Sequence, residues 1–579
     1  MKLPQLKELP TSRSIIDAFR GYNHNLRIGD GEFFDMKNLT SSDYPVLSPR
    51  PKRGVYAEPT NPQGLIVKDS LCYVDGGDFV INEYRVPLGL NDKPKSLTSM
   101  GANVIIMPDK KYVNTEDPEN DYGDIEAKVE VANGLNFMLC TADGTNFLPK
   151  PPAQDSEPSD PSNLDYWIDT SSKPHTLKQY SETNKTWVSV PTTYVMIQSQ
   201  ELLDHPFSVG DGITISGITD ERLADFNGTM IAQVANSGSI VVTGIVDETI
   251  SVSGKITIER RMPIMDFIVE SENRLWGCHY GVALNGQVVN EIYASKLGDF
   301  KNWNCFEGIS TDSYVASVGT DGQFTGAITH LGYPIFFKEN CMHKVYGNYP
   351  ANFQIQTTSC RGVQKGSHKS LSIVNEVLYY KSQSAVCAYD GSLPAEISSA
   401  LGNIAYGNAV AGSLGNKYYI SMQDMNEKYH LFVYDTLKGM WHKEDDTQVR
   451  DFCTCRGDLY YIDTDNKIKT VLGTGEPNET NVKWMAETGI IGTDSPDKKY
   501  ISKLDIRLSI SLGTRVHIYI QYDSSGEWEH KFTMTGRKLG SFSVPIRPRR
   551  CDHLRLRIEG DGEAKIYSIC KTIEQGSNI

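Results

Sequence analysis

The sequence has little of the pattern that makes helices. Apolar residues seldom recur at the three- and four-residue spacing of an amphipathic helix. One short stretch, Thr11 to Phe19, is the exception: Thr11 or Ser12 would cap a turn carrying Ile15, Ile16 and Phe19. Also missing is any apolar run of about 18 residues, so no membrane span is expected. The first residues, MKLPQLKELPTSRSIIDAFRGYN, carry basic side chains but no apolar run of signal-peptide length. The eleven cysteines are odd in number and scattered from Cys72 to Cys570. They read as reduced and mostly buried thiols, and the chain is expected to fold and assemble in a reducing cytoplasm. An excess of basic charge is lacking too. With 57 Lys and Arg against 72 Asp and Glu, the net charge is −15. Such a surface repels phosphate backbones, which makes a duplex-DNA binder a poor fit. It suits a protein that stays soluble before assembly, or a surface past which DNA slides.

Catalytic signatures are absent as well. There is no G-x-S-x-G, no H-E-x-x-H, no phosphate-binding P-loop and no G-x-G-x-x-G opening a helix. Glycosidase carboxylates need no local motif, and 72 acidic residues make their mere presence uninformative. The expectation at this point is a protein that is not an enzyme and takes no cofactor.

What is present is β-structure. Short alternating apolar runs are separated by Gly, Asn, Asp and Pro, and the chain holds 49 glycines and 30 tyrosines. One phrase recurs: strand, tight polar turn, strand, longer turn, strand. GLIVKDSLCYVDGGDFVINEYRV, turning at Asp75–Asp78, and SMGANVIIMPDKKYVN carry it in a first region. Five further units follow between Met265 and Leu472, ending with DFCTCRGDLYYIDTDNKIKTVLG. The spacing of roughly 35–50 residues is that of propeller blades. About seven blades are expected. Two ordinary β-sandwiches are the competing architecture, and open-ended repetition favours the propeller.

The boundaries follow: an arm at 1–54, the first part of the propeller at 55–150, an insertion at 151–262, the rest of the propeller at 263–475, and an antiparallel β-sandwich at 480–579. The insertion opens with a Pro/Ser/Asp-rich linker, Pro149 to Asn163, and continues as a three-strand meander at 164–190. A small barrel or sandwich at 194–260 completes it. The C-terminal piece promises seven or eight strands.

Four groups of side chains are candidates for function. Tyr166, Trp167, Tyr180 and Trp187 crowd the meander, where they either stack on a glycan or partner or form the meander's own core. Arg547, Arg549, Arg550, Arg555 and Arg557 are the densest basic cluster. They could meet phosphate in a DNA channel, pair with acids on a neighbouring subunit, or line a solvated strand face. Cys453 and Cys455 share a strand face but lack two further zinc ligands, and buried blade thiols are the simpler reading. Asp463-Thr-Asp465-Asn466 opens like a calcium loop but lacks its glycine and distal glutamate, leaving a hairpin turn. No metal site is assigned.

Three segments resemble parts of a known group. LRIGDGEFFDMKNLTSSDYPVLSPRPKRG (Leu26 to Gly54) resembles the opening of β-propeller proteins in tailed-phage structural modules, including the tail-nozzle proteins of short-tailed phages. KYISKLDIRLSIS…HLRLRIEGDGEAKIYSI (Lys499 to Ile569) resembles their terminal sandwich, and DYWIDTSSKPHTLKQYSETNKTWVSV resembles a small module of phage tail and adhesion proteins. The resemblance implies a virion structural protein of the tail or head–tail region. It would be assembled in the host cytoplasm as a homo-oligomeric ring, with other tail proteins as partners and transient contact with passing DNA. A receptor- or glycan-binding tail protein using the inserted modules is the first rival. A surface-glycan hydrolase is the second, and a host cytosolic interaction propeller the third.

Overall fold

Turn chemistry sets the first blade. Gly76 takes φ +61°, a left-handed value open to glycine at no steric cost. Strand Ser70–Asp75 therefore folds back on Asp78–Ile81. Asn82 and Glu83, at φ 47° and 68°, make the next two-residue turn into Tyr84–Pro87. With Pro62–Lys68 on the inner side, these strands form a four-stranded antiparallel sheet.

That unit repeats. A computed structural model describes residues 11–282, 286–493 and 497–575 of the chain. It contains seven such blades, at 62–87, 96–124, 267–317, 326–359, 372–396, 406–445 and 451–470. The fold is an all-β propeller with a β-rich insertion and a C-terminal β-sandwich. The last blade takes its fourth strand, Gly54–Ala57, from the N-terminal arm, which pairs antiparallel with Ile468–Thr470 and closes the ring, with Glu476–Pro477 beyond it. Apolar layers lie between neighbouring blades. Leu65 and Leu71 of the first blade meet Tyr460, Ile462 and Ile468 of the last. Each such buried side chain contributes about 1.5–3 kcal/mol.

Three expectations need correction. Thr11–Phe19 is not a helix: Thr11–Ile16 is a strand that pairs antiparallel with the C-terminal strand Ala564–Gln575. β-Branched Ile15 and Ile16 alternate outward and inward there, at 60% and 7% exposed, which a pleated strand accommodates and a helical face does not. The insertion begins earlier than expected. Ala127–Val131 and Leu135–Cys140, read as propeller, pair with Ile256–Arg260 and Tyr194–Gln198 and belong to the inserted barrel. The meander interrupts that barrel between Cys140 and Tyr194, and Ala153–Gln154 of the linker adds a parallel edge strand to it.

The third correction concerns the sandwich. The C-terminal piece supplies five strands rather than seven or eight, and the arm supplies the others. Lys499–Tyr522 is long enough to pair with two strands in succession along one edge. Its first half pairs with Ala564–Gln575 and its second with Leu554–Asp561, while Glu529–Ser543 follows it on the other side. Glu32–Lys37 of the arm joins this sheet through Lys483–Thr488, and Gly21–Tyr22 joins Glu32–Lys37 to the sixth blade. One hydrogen-bonded path thus runs from Tyr406–Leu414 in the propeller to Thr11–Ile16 in the sandwich.

Candidate functional site

Two places concentrate charge and cavity: the propeller axis and the seam between arm, blades and sandwich. The innermost strands of the blades line a cavity of about 440 Å³ on the axis, which adjoins one of about 500 Å³. Lys369 stands in both and ion-pairs with Asp451 at 2.9 Å. Asp451 also accepts the Leu65 N–H at 3.2 Å, so it ties the seventh blade to the first. Lys95 lines the wall, but its ammonium turns into the fold, held by Asp109 at 2.7 Å and the Asn91 carbonyl at 2.6 Å. His368 opens to the cavity against the Phe267 ring, and the surrounding protein lowers its pKa to about 4, with Lys369 adding to the effect. The carboxylates nearby have partners. Asp266 accepts from the Tyr280 N–H at 2.8 Å and faces His279 at 3.2 Å. Glu270 accepts the Asn273 N–H at 2.9 Å, and Asp92 accepts from Asn61 and Gln63. Phe267, Tyr280 and Phe324 give the larger cavity an aromatic wall.

The seam is a buried ion cluster, and sequence reading missed it. Arg50 and Arg53 come from the phrase YPVLSPRPKRG, whose role was not legible. Arg53 is 5% exposed and reaches Glu444 at 2.7 Å and Asp445 at 2.8 Å on the sixth blade. Arg50 grips Glu479 through both terminal nitrogens, at 2.8 and 2.7 Å, and its Nε donates to Asn38 at 2.8 Å. Glu479 also accepts the Arg53 backbone N–H at 2.9 Å. Burial opposes ionisation of Asp445, yet Arg53, Thr447 and Arg50 together hold its carboxyl below the usual range. Paired residues lie some 390 to 430 positions apart, so local spacing carries no trace of them.

The predicted site residues fall as follows. Trp167 is 2% exposed and meets Trp187 edge-on at 5.4 Å, so these two form the meander's core. Tyr180 packs on Trp187 at 5.4 Å, and Tyr166 packs on Phe147 at 4.8 Å. Arg555 and Arg557 both pair with Glu487 on the adjacent strand, at 3.0 and 2.8 Å. Arg557 also lies over the Trp528 ring at 4.0 Å. Arg549 pairs with Glu529, while Arg547 and Arg550, on either side of Arg549 in the chain, are exposed. Cys453 and Cys455 oppose Tyr460 and Asp458 in the last blade, and burial pushes the Cys453 thiol up. In the Asp463–Asn466 turn, the Lys469 ammonium sits 2.6 Å from Asp463 and 2.9 Å from Asp465. It occupies the place a cation would take. Among the described residues, Cys305, Glu307 and Asp312 bring ligand-type atoms within 4.8 Å of one another. One Asp312 oxygen there already accepts three backbone N–H groups of its own loop.

No family model matches the chain, and no curated protein matches it. Solved structures do. An exo-β-1,3-galactanase from Phanerochaete chrysosporium is 9% identical, covering 52% of this chain and 94% of its own, at a TM-score of 0.21. BamB from Moraxella catarrhalis is 12% identical, covering 48% and 95%, at 0.23. An engineered glycoside hydrolase with endo-xylanase and exo-arabinofuranosidase activity is 9% identical, covering 54% and 97%, at 0.21. The expectation that the chain is not an enzyme is corrected by this finding, since glycoside hydrolases are among the similar structures. The motif search behind that expectation was blind to paired carboxylates, which need no fixed spacing in sequence. With TM-scores of 0.21 and 0.23 the similarity assigns no activity in its place.

Proposed function

We propose that the chain is a structural subunit of a bacteriophage tail, of the nozzle, tail-ring or adaptor kind. It works by assembling with its own copies and other tail proteins around the tail axis and DNA exit path. The observation that carries this reading is the continuous sheet from the sixth blade through the arm into the sandwich. Shared backbone hydrogen bonds resist hinge motion between bodies that a linker would leave free. The result is a stiff two-part plate, a shape suited to a ring component that works through interfaces. The arm phrase and the terminal sandwich that resemble phage tail proteins are the two partners in that sheet. Light scattering on the full chain, with negative-stain imaging, is expected to show closed assemblies of several copies. A single copy at every concentration would overturn the reading.

A second reading rests on the aromatic-walled cavity of about 500 Å³ beside the propeller axis. Sugar C–H groups pack on flat aromatic faces, and Asp266 and His368 offer polar contacts in the same cavity. In the meander Trp167 is buried, while Tyr166, Tyr180 and Trp187 are half-buried and pack on aromatic neighbours. A glycan array probed with the full chain is expected to give signal that Phe267→Ala reduces about tenfold, the loss of roughly 1.4 kcal/mol. Release of reducing ends from a bound glycan would extend this reading to hydrolysis, and a blank array would remove it.

A further inference from the structure

We propose that copies of this chain associate head to tail, with the bent hairpin of one sandwich seated on the acidic insertion of the next copy. The inference rests on the assembly reading above and names the surfaces that would carry it.

Charge is divided unevenly along the chain. Residues 499–579 hold 14 Lys and Arg against 9 Asp and Glu, a net of +5, inside a protein of −15. Residues 127–260 hold 8 against 17, a net of −9. Among the described residues no strand of the insertion pairs with a strand of the sandwich, so the two surfaces do not neutralise each other through a shared sheet.

The basic surface has a defined shape. Strand Glu529–Ser543 pairs with Lys499–Tyr522 on one side, and its other edge has no strand among the described residues. The register breaks between Ile510 and Arg515, where Lys499–Tyr522 passes from Ala564–Gln575 to Leu554–Asp561. At that break Leu512 is 95% exposed beside Gly536, and Leu539, three residues further along the partner strand, is 57% exposed. Arg515, Arg537 and Lys538, each within three residues of one of these leucines along its strand, are all exposed. The Arg537 guanidinium lies over the Phe542 ring at 4.8 Å, and none of the three has a carboxylate partner among the described residues. Elsewhere in the same sandwich Arg549, Arg555 and Arg557 are each paired with a glutamate. Charge alone would blunt an open strand edge. Two exposed leucines framed by arginine do the opposite, since apolar anchors with arginine are the composition of interface centres.

The complementary surface is on the insertion. Asp155, Glu157 and Asp160 stand exposed within six residues of the linker, without an ion pair among the described residues. Leu164 just beyond them is 61% exposed, and Leu203, next to exposed Asp204, is 58% exposed. Two different patches on one molecule give a heterologous contact, which closes into a ring or extends as a filament. Opposed charge would set its register and make it salt-sensitive.

The test uses the full chain and two charge reversals, R515E/R537E and E157K/D160K. All four side chains are exposed, so melting by circular dichroism should stay at the wild-type temperature. Light scattering of the wild type is expected to show several copies, falling toward one as salt rises. Each variant alone should need at least about ten times the protein concentration to assemble, because hairpin and insertion then carry the same sign. Mixing the two variants restores opposite signs at every contact, and wild-type assembly should return. If the wild type assembles and the reversals change nothing, this contact is wrong while the assembly reading stands. If the wild type stays a single copy at every concentration, both fall.

Discussion

Arg53→Met is expected to destabilise the chain by about 3–5 kcal/mol, the cost of removing one partner from a buried ion pair. Glu444 is 3% exposed and would lose the guanidinium 2.7 Å away. Asp445 and the Thr447 hydroxyl would lose the same group. Methionine keeps most of the volume, so the loss reports the charge and not a cavity. The position also matters for topology. Gly54–Ala57, directly after Arg53, closes the seventh blade, and Gly21–Lys37 before it bridges to the sandwich. Loosening Arg53 therefore unlatches the ring and the bridge together. Urea unfolding followed by tryptophan fluorescence measures the effect, with Arg50→Met as companion. Glu479 is 23% exposed at its side chain, so water partly replaces Arg50 and the companion should lose less. A loss below about 1 kcal/mol for Arg53→Met would show that the cluster is not the latch.

The blades were legible because their signals are local. The turn expected at Asp75–Asp78 is there, with Gly76 and Gly77 between a strand that ends at Asp75 and one that begins at Asp78. Each hairpin is fixed by its own residues, so counting phrases led to seven. The errors share one physical origin. Thr11–Ile16 has its partner at Ile569–Glu574, more than five hundred residues away, and alternation reveals a strand without saying which strand it meets. Ala127–Val131 and Leu135–Cys140 alternate as blade strands do, and only their pairing with Ile256–Arg260 and Tyr194–Gln198 places them in the barrel. The candidate sites divide the same way. The arginine cluster at the C-terminus was visible, while the Glu487 that engages Arg555 and Arg557 lies about seventy residues upstream. Arg50 and Arg53 were in plain view within a quoted phrase, and their acidic partners were not.

Acid should unfold the chain in two steps, and the first belongs to histidine. His343 is fully buried in the fourth blade, between the Thr320 and Thr357 hydroxyls at 2.9 Å each. Burial, with Lys338 nearby, lowers its pKa to about 4. His442 is 3% exposed in the sixth blade; burial, with Lys417 adding and Asp435 opposing, lowers it to about 3. Both rings are neutral in the folded chain and bind protons near pH 6.5 once unfolded. The unfolded state therefore holds more protons below pH 6.5, and stability falls as pH falls until the folded pKa values are reached. At pH 5 each ring accounts for about 2 kcal/mol, so the pair removes roughly 4 kcal/mol relative to neutral pH. The second step lies lower. Asp445 and Glu479 have depressed carboxyl pKa values, and the stability they supply above the ordinary carboxylate range is lost as they protonate. Urea midpoints between pH 7 and pH 4 should slope steadily, and because His368 is also lowered to about 4, His343→Gln should remove between about a third and a half of that slope while costing some stability at pH 7. A flat profile down to pH 4.5, or an unchanged slope in a folded His343→Gln chain, would show that water reaches these rings and that the blade interiors are looser than their packing indicates.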